Sequence, residues 1–147
     1  MGISIERTGG GWNEARAGRS VVYDLAETAL NAADTAERLR AVTMLGRCND
    51  PRAVRPLMDL LEDKEPSIRL CATVGLGLLR SGRPVDDLIG RLRDRSEQAE
   101  IRHQAVISLA AIRSTGAIHG LREFAADTSE DAALRATVEA TLHDIIS

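Results

Sequence analysis

With 147 residues, a formal net charge of -3 and 44% apolar residues, the chain is long enough for one domain with its own core. It is too acidic to be a protein whose affinity comes from neutralising many phosphates. Aromatic residues make up only 2% of it (Trp12, Tyr23 and Phe124), so the core must be built from Leu, Ile, Val and Ala, a diet suited to close-packed helices. The two cysteines, Cys48 and Cys71, form neither a close metal-spaced pair nor a secreted disulfide framework, and no stretch approaches the roughly 20 apolar residues of a membrane span. A reduced, cytoplasmic protein with no membrane or nucleic-acid partner is expected.

In chain order, residues 1–19, with Thr8-Gly9-Gly10-Gly11 in their middle, fit no period and read as an extension. From residue 20 onward the chain repeats. At an offset of 31, Arg38-Leu39-Arg40-Ala41-Val42-Thr43-Met44-Leu45-Gly46 falls on Arg69-Leu70-Cys71-Ala72-Thr73-Val74-Gly75-Leu76-Gly77. A further offset of 33 brings in Arg102 to Ala110, and another 33 brings in Arg135 to Leu142. The intervening segments align too, with Leu57, Leu88 and Leu121 coincident, and their apolar positions recur at three and four residues, the spacing of one helical face. Each repeat is therefore a helix pair, in units of about 20–48, 49–80, 81–113 and 114–147.

First helices are predicted near 20–32, 51–63, 84–94 and 116–126, and second helices near 36–47, 67–80, 99–112 and 131–145. Asn49-Asp50-Pro51 and Ser81-Gly82 supply turns, Asp50 and Ser114 are candidate caps, and Pro66 is placed to begin a helix rather than interrupt one.

The Asp closing a first helix and the Arg opening the second, as in Asp63 and Arg69, followed by Ala72 and Leu76-Gly77, resemble the HEAT repeat. The 31-residue unit and Asn49-Asp50-Pro51-Arg52-Ala53-Val54 are most similar to its short, phycobilisome-lyase-type variety of prokaryotes. The resemblance implies an all-α fold, a right-handed α-α superhelix of four HEAT-like hairpins. It also implies a ladder in which Asp63, Asp94 and Asp127 bond Arg69, Arg102 and Arg135, although the last two loops are two residues longer than the first.

In such solenoids the second helices line the concave face. The positions implied there are Leu39, Arg40, Thr43 and Arg47, then Leu70, Cys71, Val74 and Leu78, then His103, Gln104, Ile107 and Ala111, and last Ala136, Thr137, Ala140 and Asp144. The second row is apolar, and helix 67–80 also carries Ile68, Ala72, Leu76 and Leu79 on its other side. A helix apolar nearly all round is buried on every side. Either neighbouring helices cover it, or a groove around Leu70, Val74, Leu78 and Ile107, flanked by Arg40 and Arg47, takes a peptide, a helix or a second subunit. Ile3, Ile5 and Trp12 of the extension are an internal candidate for the same place.

Catalytic chemistry finds little support. HEAT-type iron hydroxylases carry His-Glu dipeptides, whereas His103, His119 and His143 are followed here by Gln104, Gly120 and Asp144. Cys71 and His103 occupy neighbouring rows without an orienting third group. Gly75 and Gly77 lie inside a helix, and no phosphate loop follows them. The expectation is a noncatalytic interaction or scaffold module, without cofactor or metal, binding a protein or peptide. The alternative is a bilin-lyase-like enzyme or chromophore chaperone. The last helix, with Leu134, Val138, Leu142 and Ile145, leaves a homodimer open.

Overall fold

The computed structural model describes residues 21–147, and the extension read over residues 1–19 lies outside the described residues. Every regular element in the described chain is helical: α1 (residues 21–31), α2 (Thr35–Arg47), a 3-10 turn (Pro51–Ala53) leading into α3 (Val54–Leu60), α4 (Pro66–Leu79), α5 (Val85–Arg93), α6 (Ala99–Ile112), α7 (Thr115–Ala126) and α8 (Ala132–Ile146). The odd-numbered helices are the first members of four hairpins and the even-numbered ones the second members. The chain is an α-solenoid.

Local chemistry explains the boundaries. Asp34, Ser114 and Asp131 each accept a backbone N–H from three residues onward, at 3.2, 3.1 and 2.8 Å, and so cap α2, α7 and α8. Asp50 caps the 3-10 turn instead, through the Arg52 N–H at 2.9 Å. The helix predicted over 51–63 is split because Pro56 has no N–H to give to the carbonyl four residues back. The α-helix proper starts at Val54, which puts Pro56 in its first turn. Pro66 begins α4 as its sequence position implied.

The core lies between the two helical layers. Leu57 and Leu60 of α3, Ile68 and Leu76 of α4, Leu88 and Leu92 of α5, Leu109 of α6 and Phe124 of α7 are all at most 1% exposed. Full burial of each such side chain contributes about 1.5–3 kcal/mol. Within the second-helix layer, α2 packs on α4 and α4 on α6 more extensively than α6 does on α8. Small residues set that approach. A Cβ on Gly46 would stand 2.7 Å from the Gly75 Cα, and one on Gly77 would stand 2.5 Å from the Ser108 Oγ. The equivalent positions at the next step carry Ala110 and Thr141, with no glycine to permit so close an approach.

The arginine ladder differs from its expected pairing. Each second-helix Arg donates to a main-chain carbonyl at the end of its own first helix: Arg38 to Ala29 at 2.8 Å, Arg69 to Asp63 at 2.7 Å, Arg102 to Leu92 at 2.8 Å and Arg135 to Ala125 at 3.1 Å. Its charge then reaches forward by one hairpin. Arg38 meets the Asp63 carboxylate, Arg69 meets Glu97 at 2.9 Å and Arg102 meets Glu130 at 3.3 Å. Asp94 and Asp127 do not bond Arg102 and Arg135 because each closes its own loop turn. They accept the Ser96 hydroxyl and the Ser129 hydroxyl, each at 2.6 Å, together with the backbone N–H groups of those serines. The longer loops thus split the work of Asp63, which serves both its own turn and Arg38. Among the described residues, Arg135 has no forward acid.

The Arg91–Arg95 stretch is also wired across repeats. Arg91 bonds Glu62 at 3.1 Å and Glu97 at 3.0 Å, and Arg93 bonds Asp127 at 3.0 Å while lying 5.6 Å over the Phe124 ring. These contacts tie the end of α5 to the hairpins on either side of it.

Candidate functional site

The α4 helix buries Ile68, Ala72, Thr73, Gly75, Leu76 and Gly77, yet Val74 and Leu78 remain 36% and 56% exposed. Neighbouring helices of the described chain therefore do not cover it on every side. Ile107 of α6, at 59%, and Met44 of α2, at 54%, are exposed on the same layer. Their positions follow from helical spacing: Arg40, Thr43, Met44 and Arg47 form one stripe of α2, and all four are exposed.

Two hollows flank Val74 and Leu78. The first, about 210 Å³, lies between α2 and α4, and its walls include Thr43, Arg47, Cys71, Val74 and Leu78 over the Gly46/Gly75 contact. The second, about 160 Å³, lies between α4 and α6, bounded by Val74, Leu78, Arg80, Gln104, Ile107 and Ala111 over the Gly77/Ser108 contact. Val74 and Leu78 form the shared wall. Ser108 is held in place by donating to the Thr73 carbonyl at 2.7 Å, and Gln104 leans on Ser108 at 3.3 Å.

The residues singled out from sequence thus divide. Arg47, Cys71, Val74, Leu78, Gln104 and Ile107 are brought together around the hollows. Leu39 and Leu70 are half-buried, Arg40 and His103 are exposed, and none of these four lines either hollow. Sequence reasoning missed Met44 and Arg80. Met44 carried a signal, because it sits one turn after Arg40 on the same stripe; Arg80 carried none, because it lies beyond the helix. Ile3, Ile5 and Trp12, the internal candidates, lie outside the described residues.

Charge on this face is uneven. The ion pairs of the described residues bypass Arg40, Arg47 and Arg80. Equivalent positions across the four second helices read Arg47, Leu78, Ala111 and Asp144 in one row and Thr43, Val74, Ile107 and Ala140 in the next. Along these two rows the face passes from basic through apolar to acidic, with Arg80 adding a further cation beside the apolar centre.

A larger hollow, about 730 Å³, opens at the loop edge between the first two hairpins, with Arg38, Asp59, Glu62, Asp63, Lys64 and Glu65 among its walls. Its central pair, Arg38 and Asp63, is already engaged as a ladder rung. Among the described residues, no three His, Cys, Asp or Glu side chains are grouped so as to hold a metal, and no helix is long and apolar enough to cross a membrane.

Stacked helical hairpins with a regular inter-repeat ladder define a helical-repeat module. Residues 23–99, just over half of the chain, match the family of HEAT repeats, and the chain belongs to that family. No curated protein matches it. Among solved structures it is similar to human deoxyhypusine hydroxylase in complex with glycerol, at 26% identity with a TM-score of 0.73. That similarity covers 84% of this chain and 42% of the other, so the chain spans about two fifths of the hydroxylase.

Proposed function

We propose that this chain is a noncatalytic interaction module, cytoplasmic and of the short prokaryotic repeat type, that holds a protein or peptide partner on the face formed by α2, α4 and α6. The observation that carries this reading is the exposure of Val74 and Leu78 on a helix whose other large apolar residues are buried or half-buried, beside two hollows floored by glycine. Apolar surface left open against the hydrophobic gradient commonly marks an interaction site. The hydroxylase likeness brings no activity with it, because it spans under half of that enzyme and the hollows gather no converging catalytic groups. A bilin-lyase-like role lacks a polar pocket on this face and stays the lesser reading.

The test is affinity recovery of partners from the source cells by the wild type and by a Val74→Asp/Leu78→Asp variant. The reading expects one partner, identified by mass spectrometry, to be lost from the folded variant. Recovery of the same partners by both proteins would remove this face from consideration.

A further inference from the structure

The two hollows and the charge gradient together constrain what fits. Resting on the reading of this face as a partner surface, we infer that the occupant is an amphipathic helix laid across α2, α4 and α6, with apolar side chains at i and i+7 in the two hollows and an acidic residue over Arg47.

The spacing comes first. The hollows lie on either side of α4, so their separation is set by the distance between neighbouring packed helices, about 8–10 Å. In an α-helix seven residues advance about 10.5 Å and return to nearly the same face. A strand covers about 10 Å in three residues, but an odd step turns the side chain to the opposite face. Two anchors on one face at this separation therefore select a helix with i, i+7 anchors. The anchors themselves must be apolar, because Val74 and Leu78 face both hollows and Ile107 closes the second.

The charge comes second. Among the described residues, Arg47 lines the first hollow without a carboxylate partner and nothing acidic lines either hollow. Half a helix spacing separates α2 from the hollow beside it, so the complementary acid falls three or four residues before the first anchor. Asp144 ends the row at the far side but lines neither hollow, and Arg80 borders the second, so the bound helix is neutral beyond its second anchor. An acid-apolar-apolar order is thus complementary to the Arg47, Leu78, Ala111 row, while a basic residue at the same end meets like charge.

The probe is a labelled helical peptide of about 20 residues, long enough to cross three helices, with Leu at i and i+7 and Glu at i-4. Controls carry Lys at i-4, or Leu at i and i+5. Binding is read by fluorescence anisotropy and by methyl NMR of Val74, Leu78 and Ile107. The Glu peptide is expected to bind about tenfold more tightly than the Lys peptide, Arg47→Glu to invert that preference, and Leu78→Asp to abolish both. Because Leu78 is exposed, Leu78→Asp leaves the core intact, which circular dichroism verifies.

Equal affinity for the Glu and Lys peptides, or for the i+5 control, with binding still lost in Leu78→Asp, overturns the helix register and its charge while leaving the partner face standing. Peptide binding indifferent to Leu78→Asp, or an absence of methyl shifts at saturation, overturns both. Methyl shifts of Val74, Leu78 and Ile107 produced by deleting residues 1–16 without peptide, or a dimer in sedimentation that Leu78→Asp dissociates, assign the face to another occupant and overturn the helix proposal.

Discussion

Arg69 grips Glu97 with both arms of its guanidinium, Nε to Oε2 and Nη2 to Oε1 each at 2.9 Å, across the seam between the α3–α4 and α5–α6 hairpins. The Glu97 side chain is 1% exposed and receives Arg91 as well at 3.0 Å. Removing Arg69 leaves this buried carboxylate with one cation where it had two, and strands the Asp63 carbonyl too. Arg69→Ala is expected to cost about 2–4 kcal/mol in urea unfolding at neutral pH. Arg135→Ala is expected to cost about 1 kcal/mol, because Arg135 makes the carbonyl bond without a forward acid. Equal losses from the two substitutions would show that the inter-hairpin ion pair adds nothing.

The same ladder shows what the sequence reveals and what it conceals. Helix positions were legible because apolar periodicity and turn residues act locally, and α6 runs over 99–112 as its spacing implied. The ladder arginines were legible through the repeat offset. Their acids were not, since a two-residue change in loop length hands Asp94 and Asp127 to neighbouring serines and recruits Glu97 and Glu130 instead. That choice depends on loop geometry with no counterpart in periodicity. The exposed row at Val74 and Leu78 was legible because α4 has more apolar residues than one buried face needs; the hollows beside it depend on how closely Gly46 meets Gly75.

Acid is expected to unfold the solenoid in steps tied to these carboxylates. Burial pushes Glu97 upward, but hydrogen bonds from Arg69 and the Gln98 N–H, with the charge of Arg69 and a bond from Arg91, outweigh it and leave it below its ordinary 4.5. Burial likewise pushes Asp63 up, and Arg38 with the Glu65 N–H brings it below 3.8. Asp127 is lowered to about 2 by the Ser129 hydroxyl, the Ser129 N–H and then Arg93. In this range the unfolded chain binds more protons than the folded one. The stabilisation is therefore complete above the unfolded pKa values and is lost as pH falls through the folded ones. Thermal unfolding should be insensitive to these groups near neutrality and lose stability between about pH 4.5 and 2. Glu97→Gln should be less stable at neutral pH and show a shallower acid decline. A parallel decline in both proteins would separate Glu97 from the effect.

The glycines of the second-helix layer should respond oppositely to one exposed on a first helix. In Gly46→Ala the new Cβ meets the Gly75 Cα at 2.7 Å, a backbone atom that moves only if α2 and α4 part. A loss of about 1–3 kcal/mol is expected. Gly77→Ala pushes on Ser108 and threatens its bond to Thr73, with a loss of the same order. Gly90→Ala, at an exposed position of α5 with nothing within 4 Å of its Cβ, should gain about 0.5–1 kcal/mol from helix propensity. Thermal midpoints of the three variants decide the matter, and a stabilised Gly46→Ala would mean that α2 and α4 do not approach as described.

The ends of the second helices store strain at one repeating position. Asn49, Arg80 and Arg113 fall at equivalent places in successive repeats and adopt φ of 52°, 54° and 56°. This left-handed conformation costs an L-residue about 1–2 kcal/mol and suits glycine. Arg80 takes it at the end of α4, donating its N–H to the Gly77 carbonyl at 3.3 Å, while Gly82, the residue that locally resembles the turn glycine, lies two positions later. Arg80→Gly removes the Cβ clash at the expense of a looser unfolded chain, for a net gain of about 0.5–1 kcal/mol, or about 1–4 °C in Tm. Arg113→Gly relieves the same strain but gives up the bond from its guanidinium to the Ile145 carbonyl of α8, so its gain should be smaller. Arg80 also borders the second hollow, whereas Arg47 borders the first. A stabilised Arg80→Gly protein should therefore keep its preference for an acidic residue ahead of the first anchor, and loss of that preference would move the charge recognition from Arg47 to Arg80.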